Sequence, residues 1–311
     1  MWGATYNPLR VVLLWAALLP AAASGQPSAV TPTPLSKAAD LYHRTEYKQA
    51  LDILKGIKSP DSAILQLMGQ VEYGLGEYKQ STDTFERALD VLARAKGSPI
   101  LTSELYAWLG RAYGRRAETS FPLMAPRYAS KAREAFETAV KLNGSNHEAV
   151  DDLFEYYLQA PGFLGGGLDK AEVLAKHIAD LDATWGQRAA ARVTEERKDY
   201  PGTEQHLRKA MDLAPKQVGR IVDLAKYLAN RGRTQESDAM FEQATKLAPN
   251  NPDIMFAQAH TFVDHKRNLN QARALLRRFL ASPLTPENPS REDAQALLKK
   301  IEAAIQNGSQ R

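Results

Sequence analysis

The 311-residue sequence predicts an all-α fold, a right-handed superhelical solenoid of about seven helical hairpins closed by a C-terminal capping helix. Three observations predict it. LRKAMDLAP at 207–215 and FEQATKLAP at 241–249 superimpose at an offset of 34 residues, the kind of period that stacked helix pairs produce. Small residues recur where two helices would cross, with large ones around them, as close backbone approach requires. The composition, 44% apolar with 8% aromatic and 24% charged, suits helix-on-helix packing spread along a chain and argues against disorder of the main body.

The N-terminus is different in kind. Met1 to Arg10 holds one basic residue and no acid, Val11 to Leu19 is an unbroken apolar run, and Pro20 and a string of small residues follow. This is the pattern of a secretory signal peptide, residues 1–24, cut near Ala23 or Ser24. The run is shorter than the roughly 20 residues a spanning helix needs, so membrane contact is expected only through an uncleaved signal. The mature protein is expected to be exported, periplasmic or secreted. Residues 25–34 read as a flexible Pro/Thr linker, 35–290 as the solenoid and 291–307 as the cap. Export normally brings disulfides, yet the chain has no cysteine, so packing alone must hold the fold. Thiol catalysis, cysteine-bound metal and a lipidated cysteine are excluded with it. Forty basic residues against 36 acidic ones are interleaved without a dense basic stripe, so nucleic acid is not an expected partner.

The first hairpin is read over 31–61 on Ala38, Tyr47, Ala50 and Leu54, and the second over 62–102 on Leu65, Gly69, Tyr73, Gly76, Tyr78, Phe85 and Ala88. The third, 103–146, has Trp108, Leu109, Gly110 and Tyr113 in its first helix and Ala132, Phe136 and Ala139 in its second. The fourth, 147–183, keeps Leu153, Tyr157, Ala171 and Ile178 but sets Phe154 where a small residue is usual. Ala191, Tyr200, Leu207, Ala210 and Pro215 mark the fifth, 184–217, and Leu224, Ala225, Leu228, Gly232, Phe241, Ala244 and Pro249 the sixth, 218–251. Ala259, Phe262, Ala272 and Leu276 continue the register into a seventh. Ala294, Leu297, Leu298 and Ile301 then form one amphipathic stripe, the terminal cap a solenoid needs.

Across roughly residues 35–305 this succession resembles the tetratricopeptide repeat. The resemblance implies a superhelix whose inner face is lined by the first helix of each repeat, working as a non-catalytic scaffold for a protein or peptide segment. Helical spacing on that face selects Tyr42, Gln66, Gln70 and Tyr73, then Arg111, Arg115, Asp151 and Glu155, then Arg188, Arg192, Glu195, Lys226, Asn230, His260 and Asp264. Arg111, Arg115, Arg188 and Arg192 are the expected partner anchors, since guanidinium groups are favoured at hot spots. Leu35 and Ala39 stand where carboxylate-clamp members of the family carry Lys and Asn, so binding of chaperone tails is not expected.

Two insertions interrupt the period in adjacent repeats. About ten extra residues within 118–128, including Phe121, Leu123 and Met124, are expected to separate the helices of the third repeat. In the fourth the turn is stretched through Phe163, Leu164, Gly165, Gly166 and Gly167. Turns of successive repeats stack along one edge, so the two loops are expected to meet in one apolar, glycine-rich patch. A second reading has them cover a small apolar solute. The glycine run lacks the Gly-Lys-Ser/Thr of a phosphate loop, so it is read as a wide turn with Asp169 as helix N-cap. The six histidines show no metal spacing, no serine elbow is present, and Asp151-Asp152 and Glu195-Glu196 read as solvated faces. No cofactor, metal or catalytic residue is expected, and the sequence leaves the oligomeric state open.

Overall fold

The protein is described by a computed structural model covering residues 33–308. The expected signal segment and most of the linker lie outside the described residues. Thr33 and Pro34, assigned to the linker, instead open the first helix, Thr33 accepting a hydrogen bond from the Ser36 amide at 3.1 Å.

Fifteen α-helices and no strand make up the described residues. They form seven antiparallel hairpins in chain order. These are α1 (Pro34–His43) with α2 (Tyr47–Lys55), α3 (Ser62–Gly74) with α4 (Tyr78–Arg94), α5 (Pro99–Thr119) with α6 (Ala125–Leu142) and α7 (His147–Gln159) with α8 (Leu168–Leu181). Then come α9 (Ala183–Glu196) with α10 (Tyr200–Leu213), α11 (Val218–Asn230) with α12 (Thr234–Leu247), and α13 (Pro252–Asp264) with α14 (Leu269–Ala281), before the lone α15 (Arg291–Gly308). No described helix is long and apolar enough to cross a membrane.

Local chemistry sets these limits. Asp61, Ser98, Asn146, Asp182, Asp199 and Asn251 each cap a helix start with a side-chain oxygen, satisfying amides that have no partner within the helix. Five of the seven hairpins turn in the same way. Thr45, Gly76, Lys198, Gly232 and Lys266, each two residues past the end of the first helix, adopt left-handed backbone with φ between 50° and 75°. The next amide in each then bonds back six to one, as from Glu77 to the Glu72 carbonyl at 2.9 Å and from Arg233 to that of Leu228 at 2.9 Å. The two hairpins without this turn are the ones with insertions.

In the second and third hairpins the small-on-large expectation is met by direct contact. A side chain at Gly110 would meet the Phe136 ring at 2.5 Å, and one at Gly69 the Phe85 ring at 2.8 Å. The core is a chain of clusters along the solenoid, ending where Ala294, Leu297 and Ile301 of α15 cover Leu276 and Phe279. Phe154 is fully buried among Val150, Ala171, Ile178 and Ala189, so the fourth crossing takes a large residue.

The first insertion is not a loop. Its residues lengthen the helices, α5 to 21 residues and α6 to 18, and only 120–124 connect them. Without a breaker before Pro122, helix simply continues. The second insertion folds as expected into a wide turn, Ala160–Gly167, containing a single turn of 3-10 helix at Gly162–Leu164. Gly167, not Asp169, is the N-cap of α8, and Asp169 lies in its first turn. Gly165 is left-handed at φ 85°, and a Cβ on Gly166 would lie 1.8 Å from the Ala160 carbonyl oxygen.

Candidate functional site

The first helices α5, α7, α9 and α11 place their charged residues against one another. Arg111 Nε donates to Asp152 at 2.5 Å, and its Nη1 to Glu148 at 3.0 Å. Asp151, on the same helix as Asp152, accepts from Trp185 Nε1 at 3.0 Å and from Arg188 at 3.3 Å. Arg188 also pairs with Asp223 at 3.5 Å, and Arg192 with Glu155 at 3.1 Å and Glu195 at 3.2 Å. Basic α5, acidic α7, basic α9 and acidic Asp223 of α11 thus alternate in a ladder of ion pairs. Asn230 of α11 continues to His265 at 3.2 Å.

This corrects the expected anchors. The side chains of Arg111 and Arg188 are only 10% and 11% exposed, and each pairs with two carboxylates of neighbouring helices. Arg192 is likewise taken up, and Arg115 bonds Tyr78 at 3.2 Å and pairs with Glu118. Tyr42, Asp151 and Glu155 are buried between helices, and Tyr73 packs edge-on against Tyr78 and Trp108. Asp151 and Asp152 are therefore not solvated faces; they do point apart, toward different arginines. Gln66, Gln70, Glu195 and His260 are half-buried, and Lys226 and Asn230 are exposed. His260 pairs with Asp264 at 2.8 Å.

The ladder is dry enough to distort ionisation. Burial, reinforced by Glu155 and Asp152, pushes the Asp151 carboxyl up to about 7 against the pull of Trp185 and Arg111. Burial likewise pushes Arg188 down to about 10 despite Asp223.

Beside the α5–α7 rung lies a hollow of about 380 Å³, lined by Gln66, Glu104, Trp108, Asn143, Asn146, His147 and Glu148, among others. Glu104 accepts from Gln66, while burial and the charge of Glu148 raise its pKa. Arg111 lies 4.9 Å over the Trp108 ring, and His147 stacks on Trp185 at 4.8 Å. Glu104, Trp108, Arg111 and Arg115 follow one helical stripe, so extending the arginine stripe toward the N-terminus of α5 finds the hollow. A second cavity, of about 620 Å³, lies between α12, α13 and α14 over Ile254, Met255, Phe262 and Leu275. Neither cavity is lined by the inserted segments. Phe121, Leu123 and Phe163 point outward, 84%, 90% and 83% exposed, with Met124 and Leu164 partly covered. Gly165 packs against the end of the Arg133 side chain, so the second loop lies beside α6. No group of three or more metal-ligating side chains occurs among the described residues.

A solenoid of helical hairpins with a polar inner face defines the class as a helical-repeat protein. Residues 46–154, about a third of the chain, match the family model described as Tetratricopeptide Repeats-Sensor, and the helical-hairpin fold is that of tetratricopeptide repeat proteins. A tetratricopeptide repeat protein from Parabacteroides merdae superimposes with a TM-score of 0.57 at 14% identity, covering 86% of this chain and 97% of that one. A thermophilic TPR protein of Thermus thermophilus aligns at 20% identity over 63% of this chain and 97% of its own, TM-score 0.49. The TPR2AB domain of yeast Sti1, in complex with pHSP90, aligns at 16% identity over 86% and 97%, TM-score 0.35. No curated protein sequence matches the chain.

Proposed function

We propose that this protein is a non-catalytic scaffold of the bacterial cell envelope whose inner face receives an extended segment of a protein partner. The N-terminal sequence pattern supports the envelope, and the family supports the scaffold. The observation that carries the reading is the hollow beside α5 and α7. It has the size of a few side chains, and Gln66 and Glu104 in its lining take no part in the ladder. Glu104 and Glu148 favour a partner with a basic side chain at that point, and Trp108 gives its apolar stem a wall. The arginines hold the helices at the spacing the segment reads. The inserted loops roof neither of these two cavities, so neither cavity supports the solute-binding reading.

The test is crosslinking capture from a periplasmic fraction with the wild-type chain and Glu104→Lys. The expected result is a specific protein captured by the first and lost, at least tenfold, with the second, while circular dichroism stays unchanged. Equal capture by both forms would place recognition elsewhere.

A further inference from the structure

The α5–α6 tip is built like a membrane wedge. Phe121, Pro122 and Leu123 cap the two longest helices of the solenoid body and face solvent. The turn is nevertheless ordered, for the amides of Met124 and Ala125 both bond the Phe121 carbonyl, at 2.8 and 3.1 Å. Its apolar side chains are thus carried outward on an ordered turn.

Polar groups follow in depth order. Between residues 115 and 133 the hairpin carries five basic residues, of which Arg115, Lys131 and Arg133 pair with Glu118, Glu86 and Glu137, so the net basic charge near the tip rests on Arg116 and Arg127. Arg116 bonds two hydroxyls, Thr82 at 2.8 Å and Tyr128 at 2.8 Å, and lies 4.1 Å over the Tyr128 ring, so its hydrogen bonds leave its charge uncancelled. Arg127 is exposed in the first turn of α6. Arg116 and Arg127 stand five and three residues from the apolar turn, about 5–8 Å back along the helices. Side chains that enter the acyl boundary, followed at headgroup depth by arginine and tyrosine, are the arrangement of interfacial anchors.

We propose that this tip docks on an anionic lipid surface, with Phe121 and Leu123 inserted and Arg116 and Arg127 against the phosphates. The contact is independent of the N-terminal segment and leaves the inner face free. It does not rest on the scaffold reading above. Two apolar side chains and a small basic collar make it reversible.

The absence of cysteine makes the test site-specific. Pro122→Cys, labelled with an environment-sensitive fluorophore in the full chain, is titrated with vesicles of 30% phosphatidylglycerol in phosphatidylcholine. Ser145→Cys, in the turn at the opposite edge, is the control. The expected result is a blue shift and loss of iodide quenching at position 122 alone, with Arg127→Glu raising the half-maximal lipid concentration at least threefold. No shift at 122, or equal shifts at 122 and 145, would overturn the proposal. A shift produced by envelope protein extract but not by vesicles would overturn it in favour of a protein partner.

Discussion

Asp151 shows how one residue couples packing to pH. Its carboxyl titrates near 7 in the folded protein against an ordinary 3.8, because burial and neighbouring carboxylates penalise the anion. Between about pH 4 and 7 the folded state holds a proton that the unfolded chain has lost. The contribution of this group to stability is therefore complete below pH 4 and disappears as pH rises through 7. Asp151→Asn keeps an acceptor for Trp185 and removes the titration. Relative to wild type, the variant should gain on the order of 1–3 kcal/mol between pH 4 and pH 8, measured by urea unfolding at both. An unchanged difference would mean that Arg188 keeps the carboxylate ionised throughout. None of this is visible in Asp151-Asp152 as a dipeptide, which reads as solvent-facing charge. The signal is at longer range: Glu148 lies 37 residues from Arg111, Arg188 37 from Asp151 and Arg192 37 from Glu155, an inter-repeat spacing that sets opposite charges side by side.

At the scale of the element, the turns record what local sequence can and cannot encode. Gly76 and Gly232 mark the left-handed turn plainly, whereas Thr45, Lys198 and Lys266 occupy the same backbone at a steric cost that tertiary packing outweighs. Lys198→Gly should accordingly raise stability by about 0.5–1 kcal/mol, seen as a higher melting temperature, and no gain would mean that the unfolded-state entropy of glycine cancels the relief. The wide turn of the fourth repeat is the converse case. Gly166 has no room for a Cβ against the Ala160 carbonyl, so Gly166→Ala should cost about 2–3 kcal/mol and loosen the Ala160–Gly167 turn against proteolysis. The hairpin count, the crossing glycines and the cap were readable because each depends on period and residue size. The first insertion was misread because ten extra residues were equated with a loop, although nothing between Ser98 and Pro122 stops a helix. Its protruding tip followed from that continuation.

For the whole molecule, the ladder matters because a solenoid has no central core to absorb a defect. Its stability is a sum of repeat terms and nearest-neighbour interfaces, so the weakest junction decides where it divides. Arg188 joins α7, α9 and α11 through Asp151 and Asp223, and it is nearly buried. Arg188→Ala would leave the buried Asp151 carboxyl with Trp185 alone, while Asp223 keeps Arg220, a loss of about 3–5 kcal/mol for removing one partner of a buried pair. The loss falls at a single place along the stack. The variant should therefore unfold in two steps, hydrogen exchange in α1–α6 keeping its wild-type protection while the helices around α9 exchange early. The exposed pair Arg277–Glu302, between α14 and α15, provides the contrast. Arg277→Ala there should change stability by less than about 0.5 kcal/mol and keep unfolding in the wild-type pattern, because exposed pairs contribute little. If Arg188→Ala unfolded as one unit with a small loss, the ladder would be an incidental product of close packing, and inner-face spacing would have to be set by the apolar clusters alone.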